Sequence, residues 1–195
     1  MRAIILVAGF AGLRYGEVRA LRLRHYDEVK GSVTVEEAID RRGRRKDPKT
    51  ASSRREVALP RFVRDALDDH VAEFAGTDPD GPLFPGALGG VISDGWFKKE
   101  WTRTRLELGV STVRFHDLRH TAGTLATQNG ATMKEVMSRL GHSTTAAAIR
   151  YQRAADVRDR EVADRLDDAF GAGIPKATAG YARDGLPSSQ ANPDA

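Results

Sequence analysis

Cysteine is absent from the 195 residues, which excludes disulfide bonds and thiolate metal sites. Also lacking is any apolar run long enough to cross a bilayer: the stretch from Ile4 to Leu13, between Arg2 and Arg14, is about half the ~20 residues that a spanning helix needs. That stretch has the outline of a short signal-peptide core, but a charged helical pattern follows it where a small-residue cleavage site should be, so it reads as a buried helix. The composition is not that of a disordered chain either, because charged residues are 30% and hydrophobic ones 40% of the total, the balance of a soluble globular protein. A chain of this size can bury a full core as one compact domain, and the expected location is the cytoplasm.

The net charge of +4 invites a polyanionic partner without naming one. Its distribution is more telling. Arg41, Arg42, Arg44, Arg45, Lys46, Lys49, Arg54 and Arg55 crowd one short window in which Asp47 is the single acid. All of these except Lys49 are candidate contacts to the backbone of such a polyanion, although a solvated basic loop accounts for the window equally well.

The pattern predicts helices over 2–13 and 16–24, interrupted by Gly12 and Gly16. Val33 to Ile39 and Arg54 to Leu59 alternate and read as strands, which places the basic window at the tip of a small antiparallel sheet. Phe62, Val63, Ala66, Leu67, Val71 and Phe74 then fall on the apolar face of a helix. Residues 76–90, rich in Gly, Pro and Asp, read as a loop, and Ser93 caps a helix reaching Leu108. Further helices are expected over 115–128, ended by Asn129 and Gly130, and over 132–140, stopped by Gly141. Ser143 or Thr144 can cap the segment bearing Tyr151. A charged helix over 154–170 and a disordered tail over 171–195 complete the reading. The fold class is therefore mainly α with a small antiparallel β-sheet.

The most informative segment is His116-Asp-Leu-Arg119-His120. At i and i+3, His116 and Arg119 share a helix face near the amino end, where backbone amides favour phosphate. His116 and His120, four apart around an acid, also imitate the spacing of zinc hydrolases. That site wants Glu in the second position and a third ligand, and Arg119 would set a cation beside the metal.

Five segments in order resemble the successive boxes of the tyrosine recombinases, which include phage integrases. They are Ala11-Gly-Leu-Arg14-Tyr-Gly-Glu17; Pro48-Lys49-Thr50 with Ser53-Arg54-Arg55; His116-Asp-Leu-Arg119-His120; Leu140-Gly-His142-Ser; and Tyr151. Each box is weak alone, but the five in sequence make a specific signal over residues 4–170. The resemblance implies a catalytic domain over 1–170, without the amino-terminal core-binding domain that family members usually carry. It also implies double-stranded DNA as partner, no membrane, no small-molecule ligand, no cofactor and no metal. The assembly on DNA is expected to be a tetramer that exchanges the 154–170 helix, and the protein alone a monomer or weak dimer.

By the same resemblance Tyr151 is the nucleophile, His116 the proton acceptor, and Lys49 the acid for the departing 5′ oxygen. Arg14 and Arg119 hold the phosphate, His142 adds a hydrogen bond, and Glu17 and His120 support them. A non-catalytic DNA-binding remnant is the competing expectation. Taken singly, Tyr151 reads as an ordinary packed tyrosine, and Arg14 as the partner of Glu17 at i+3. His25 and His70 read as surface residues, and Trp96 and Trp101 as core or helix-docking residues. Two geometric demands follow. The guanidinium groups of Arg14 and Arg119 must converge. His142 and Tyr151, nine apart, would lie about 180° around a shared straight helix, so His142 must sit in a turn outside the helix of Tyr151.

Overall fold

In the computed structural model, which describes residues 1–40, 42–46 and 54–142, the apolar amino-terminal run forms helix α1 (Arg2–Ala11). Ala3, Ile4, Val7, Ala8 and Ala11 recur in steps of one, three and four and are buried, a stripe wide enough to face two neighbours. The helix stops two residues earlier than expected because Gly12 takes a left-handed conformation, with φ +70°. A Cβ there would collide with the Leu140 side chain. Gly12 is thus both the stop and the notch into which a distant residue fits.

Helix α2 (Tyr15–Ala20) is shorter than the expected 16–24. Leu21 turns extended so that its carbonyl accepts from Leu83 N at 2.9 Å, and a single 3₁₀ turn, Leu23–His25, follows. Strands β1 (Tyr26–Asp27), β2 (Ser32–Val35) and β5 (Arg55–Ala58) make an antiparallel sheet in the order β1-β2-β5. Val33 faces Val57 and Val35 faces Arg55 across it. The strand expected over 33–39 is broken: Glu36 and Glu37 leave the ladder, and β3 (Ala38–Ile39) pairs instead with β4 (Arg45–Lys46) in a separate ribbon. These acids turn onto cations, Glu36 onto Arg54 and Glu37 onto Arg22 and Arg45.

Helix α3 (Arg61–Phe74) covers α1 with Val63, Ala66 and Leu67. Contrary to expectation, Phe62 and Phe74 are largely exposed. Phe62 lies about 140° around the axis from Leu67 and meets Phe10 edge-on at 4.8 Å, while Phe74 is the last residue of the helix. The two lone histidines are not surface residues. His25 is buried and accepts from Arg22 N at 3.1 Å, and the half-buried His70 ring lies 3.1 Å from Leu83 O and against Phe84.

Helix α4 (Asp94–Glu107) begins at Ser93, whose Oγ accepts from Trp96 N at 3.2 Å. Trp101 docks α4 on Phe115, rings perpendicular at 5.5 Å, whereas Trp96 is partly solvated. Helices α5 (Phe115–Gln128) and α6 (Met133–Leu140) start and stop where the sequence places their caps. Thr132 and Glu135 form a reciprocal capping pair, and Gly141 is left-handed at φ +64°. The main core joins α1, the three-stranded sheet and α3 through fully buried residues such as Val7, Leu21, Val33, Val63 and Leu67. Each contributes about 1.5–3 kcal/mol by burial. A smaller cluster of Ala122, Val136 and Leu140 seats α6 on α5. The helix expected over 154–170, the tail over 171–195 and the cap at Ser143 or Thr144 lie outside the described residues.

Candidate active site

The start of one helix, the second turn of another and one strand meet at a single carboxylate. Glu17, in the first turn of α2, accepts from Arg14 N at 2.8 Å, which fastens the start of its own helix. Its Oε1 lies 2.7 Å from Arg14 Nη1 and its Oε2 2.8 Å from Arg55 Nη2. Arg119 Nη1 stands 4.0 Å from the same Oε2. Burial of Glu17 pushes its carboxyl up, but the Arg55 hydrogen bond and charge, then the Arg14 contacts, outweigh this and hold it below the usual range.

Arg119 projects from the second turn of α5 into the protein. Its Nη1 donates to Gly12 O at 2.5 Å and its Nη2 to Leu140 O. Arg14 Nη2 donates to Gly141 O at 3.2 Å. The convergence demanded of the two arginines is therefore met, across a shared carboxylate and two successive carbonyls of one turn. Their exposures differ sharply, since the Arg14 side chain is 46% exposed and that of Arg119 2%. Arg14 presents the open edge of the cluster, and Arg119 stands beneath it.

His142 follows Gly141 in the turn after α6, its N–H donating to Met137 O at 3.0 Å. The helix expected to carry Tyr151 lies outside the described residues, so only this half of the second demand can be placed. Burial first, then the charges of Arg119, Arg14 and Arg55, push the His142 imidazole down to about 4. His116, in the first turn of α5, is also lowered, by burial and then by His120, Arg119 and Arg14. Both shifts favour the neutral ring, the form that can take a proton. The His116 and His120 rings stand perpendicular, 4.9 Å apart. Among the described residues, no group of three His, Asp or Glu side chains is arranged to hold a metal. An open cavity of about 550 Å³, walled by Trp101, Phe115, Arg105 and Arg114, adjoins His116.

The basic window needs correction. Arg55 is not a backbone-contact candidate, because its side chain is 5% exposed and pairs with Glu17. Alternation held the signal: Arg55, Val57 and Leu59 share the buried face of β5, which sequence reading passed over in favour of charge. Arg44 and Lys46 pair with Asp40, Arg45 with Glu37 and Arg54 with Glu36. The window is less cationic in the fold than along the chain, since acids just upstream turn back on it. Arg42 is exposed at the ribbon turn, its N–H donating to Asp40 at 2.8 Å. Arg41, Lys49 and Tyr151 lie outside the described residues. Arg139 went unnoticed in the sequence, where nothing distinguishes it. Its guanidinium ties α6 to Phe10 O at 2.7 Å and to Ala58 O at 3.0 Å.

The profile of the phage integrase family matches residues 1–158. A putative prophage phiRv2 integrase of Mycobacterium tuberculosis is 34% identical over 170 residues, 85% of this chain and 45% of the relative. The integrase of Mycobacterium phage FRAT1 is 31% identical over 180 residues, 87% of this chain and 53% of the relative. This chain thus spans about half the length of the curated relatives it matches. Among solved structures, the Tn1549 transposon integrase in complex with circular intermediate DNA superposes with a TM-score of 0.70 at 23% identity, covering 84% of this chain and 59% of the other. At that identity the likeness is one of fold.

Proposed function

Because this chain belongs to the phage integrase family, we propose that it is the catalytic part of a recombinase that cuts and rejoins double-stranded DNA through Tyr151. The phenolic oxygen attacks a backbone phosphorus while the bond to the 5′ oxygen breaks. His116 takes the phenolic proton, and Lys49 supplies one to the departing 5′ oxygen, which leaves as a hydroxyl. The product is a 3′-phosphotyrosyl bond, which conserves the energy of the broken linkage, so that religation is the reverse step and needs neither ATP nor a metal ion. A phenol with pKa near 10 is ionised in only about one molecule in a thousand at neutral pH, so the nucleophile needs a base or a strong cationic field.

The observation that carries this reading is the convergence of Arg14 and Arg119 on Glu17 and the Leu140-Gly141 turn, beside His142. Attack on phosphorus builds negative charge on the non-bridging oxygens, and preorganised guanidinium groups stabilise it at no cost of reorganisation. Arg14 offers its exposed edge to the phosphate, and Arg119 adds charge from a dry position, where its effect is least screened. By the same reading the protein works on DNA in the cytoplasm, and a tetramer forms there with residues 154–170 as the exchanged element. Among the described residues no helix is long and apolar enough to cross a membrane.

The test is a suicide DNA substrate, nicked so that cleavage cannot reverse. Wild-type protein is expected to give a covalent protein-DNA adduct in denaturing gels without divalent ions, and Tyr151→Phe to give none. DNA binding without an adduct would point to a non-catalytic remnant, and an adduct that requires a divalent ion would contradict the mechanism.

A further inference from the structure

We infer that Arg55 is a positioning residue of the cleavage reaction, the part that fixes where Arg14 and the His142 turn stand relative to each other. The inference rests on the phosphotyrosyl reading above and assigns a role to a side chain that does not itself reach DNA. Arg55 opens β5, opposite Val35, and points inward with Val57. Its fork grips Glu17 twice, Nη2 to Oε2 at 2.8 Å and Nη1 to Oε1 at 3.3 Å. The third nitrogen, Nε, donates to Arg139 O in the last turn of α6 at 2.9 Å. The guanidinium also stands against Gly141, where a Cβ would come within 2.8 Å of Nη1.

The consequence is geometric. Arg14 is held at Glu17 Oε1 and at Gly141 O; Arg55 bonds the first of these anchors and packs against the glycine that carries the second. Through one planar group, the β5 strand, the start of α2 and the end of α6 are set at fixed spacing. A lysine could keep the charge but could not grip a carboxylate and a carbonyl along two edges at once. If Arg55 is lost, Arg14 and Arg119 are left as the ties between Glu17 and the end of α6, and the arginine that faces the phosphate must hold that spacing with its own side chain.

The experiment compares wild type, Arg55→Met, Arg55→Lys and Tyr151→Phe on the nicked substrate. Single-turnover cleavage at saturating protein, DNA affinity by anisotropy and thermal unfolding are measured on each. A misplacement of about 1 Å can cost on the order of 10²-fold in rate, so Arg55→Met is expected to cleave about 10–100-fold more slowly with its DNA affinity kept within about threefold. Arg55→Lys should recover part of the rate. Should Arg55→Met not fold, Arg55→Lys carries the comparison, with a native melting transition and a rate below wild type. Parallel loss of affinity with a salt slope shallower by about one would make Arg55 a phosphate contact and overturn the inference. An unchanged rate constant in the folded fraction, with only the melting temperature lowered, would make it merely structural and overturn it too. If wild type forms no adduct, the phosphotyrosyl reading falls and takes this inference with it. An adduct formed equally fast by wild type and both Arg55 variants sinks the inference alone.

Discussion

On the β3-β4 ribbon, Arg44 and Lys46 reach to Asp40 with 64% and 57% of their side chains in water. Under the junction of α2, α5 and α6, Arg55 and Arg119 carry the same charge at 5% and 2% exposure, with carboxylate and carbonyl partners on several edges. The difference is one of cost. An exposed pair contributes about 0–1 kcal/mol and can be dissolved by salt or by a competing phosphate. A buried one need not add net stability, but removing one partner strands a charge and costs about 3–5 kcal/mol. The exposed ribbon pairs can therefore open at little cost, while the junction cannot trade anything without losing its shape.

The sharpest way to break that contrast is Glu17→Ala, which leaves Arg55 buried without its carboxylate. Urea unfolding should show a loss of about 3–5 kcal/mol, and a loss below about 1 kcal/mol would put the junction in the same class as the ribbon. Acid should act on the same group. Its native carboxyl lies below the ordinary 4.5, so this part of the stability is complete above that pH and disappears as pH falls through the lowered native value. A melting temperature flat through the acid range would contradict it.

Next in size is Gly141→Ala. A left-handed backbone costs a non-glycine residue about 1–2 kcal/mol, and the added methyl must also displace Arg55. Melting should fall accordingly, and single-turnover cleavage with it, whereas Gly43→Ala on the ribbon, at φ +78° with open space around it, should cost only the backbone strain and spare the rate. The smallest effect is expected from Arg44→Ala, less than about 1 kcal/mol in stability. Its trace should be found in the salt dependence of DNA binding, shallower by about one unit of slope if Arg44 leaves Asp40 for a phosphate.

What the sequence made legible was local. The caps of α5 and α6 are written within a few residues of each helix end, in Asn129-Gly130, in Thr132 with Glu135, and in Gly141, so their bounds could be read directly. The order of the boxes pointed to Arg14, His116, Arg119 and His142, and the fold brings Arg14 and Arg119 together at Glu17 and the Leu140-Gly141 turn. Beyond reach were features whose partners are far away. Nothing near Arg139 announces the carbonyls of Phe10 and Ala58, and nothing near His25 or His70 announces their enclosure. The two-residue strands β1 and β4 are too short to show a period. The basic window was over-read because Glu36, Glu37 and Asp40 precede it, and which acids fold back is decided by the break between β2 and β3. Arg55 is the instructive error, since the strand's alternation marked it as inward while its charge suggested the opposite.

The bonds that close the junction join Gly12 to Arg119, Phe10 to Arg139 and Arg14 to Gly141, separations of 107, 129 and 127 residues. Such closures wait on nearly all of the intervening chain. During synthesis Arg14 can meet Glu17 at once, yet its second anchor, the Gly141 carbonyl, follows only after α6 has left the ribosome. A polypeptide ending before Leu140 would carry the charges of Arg14 and Arg119 without the two carbonyls that hold them in register.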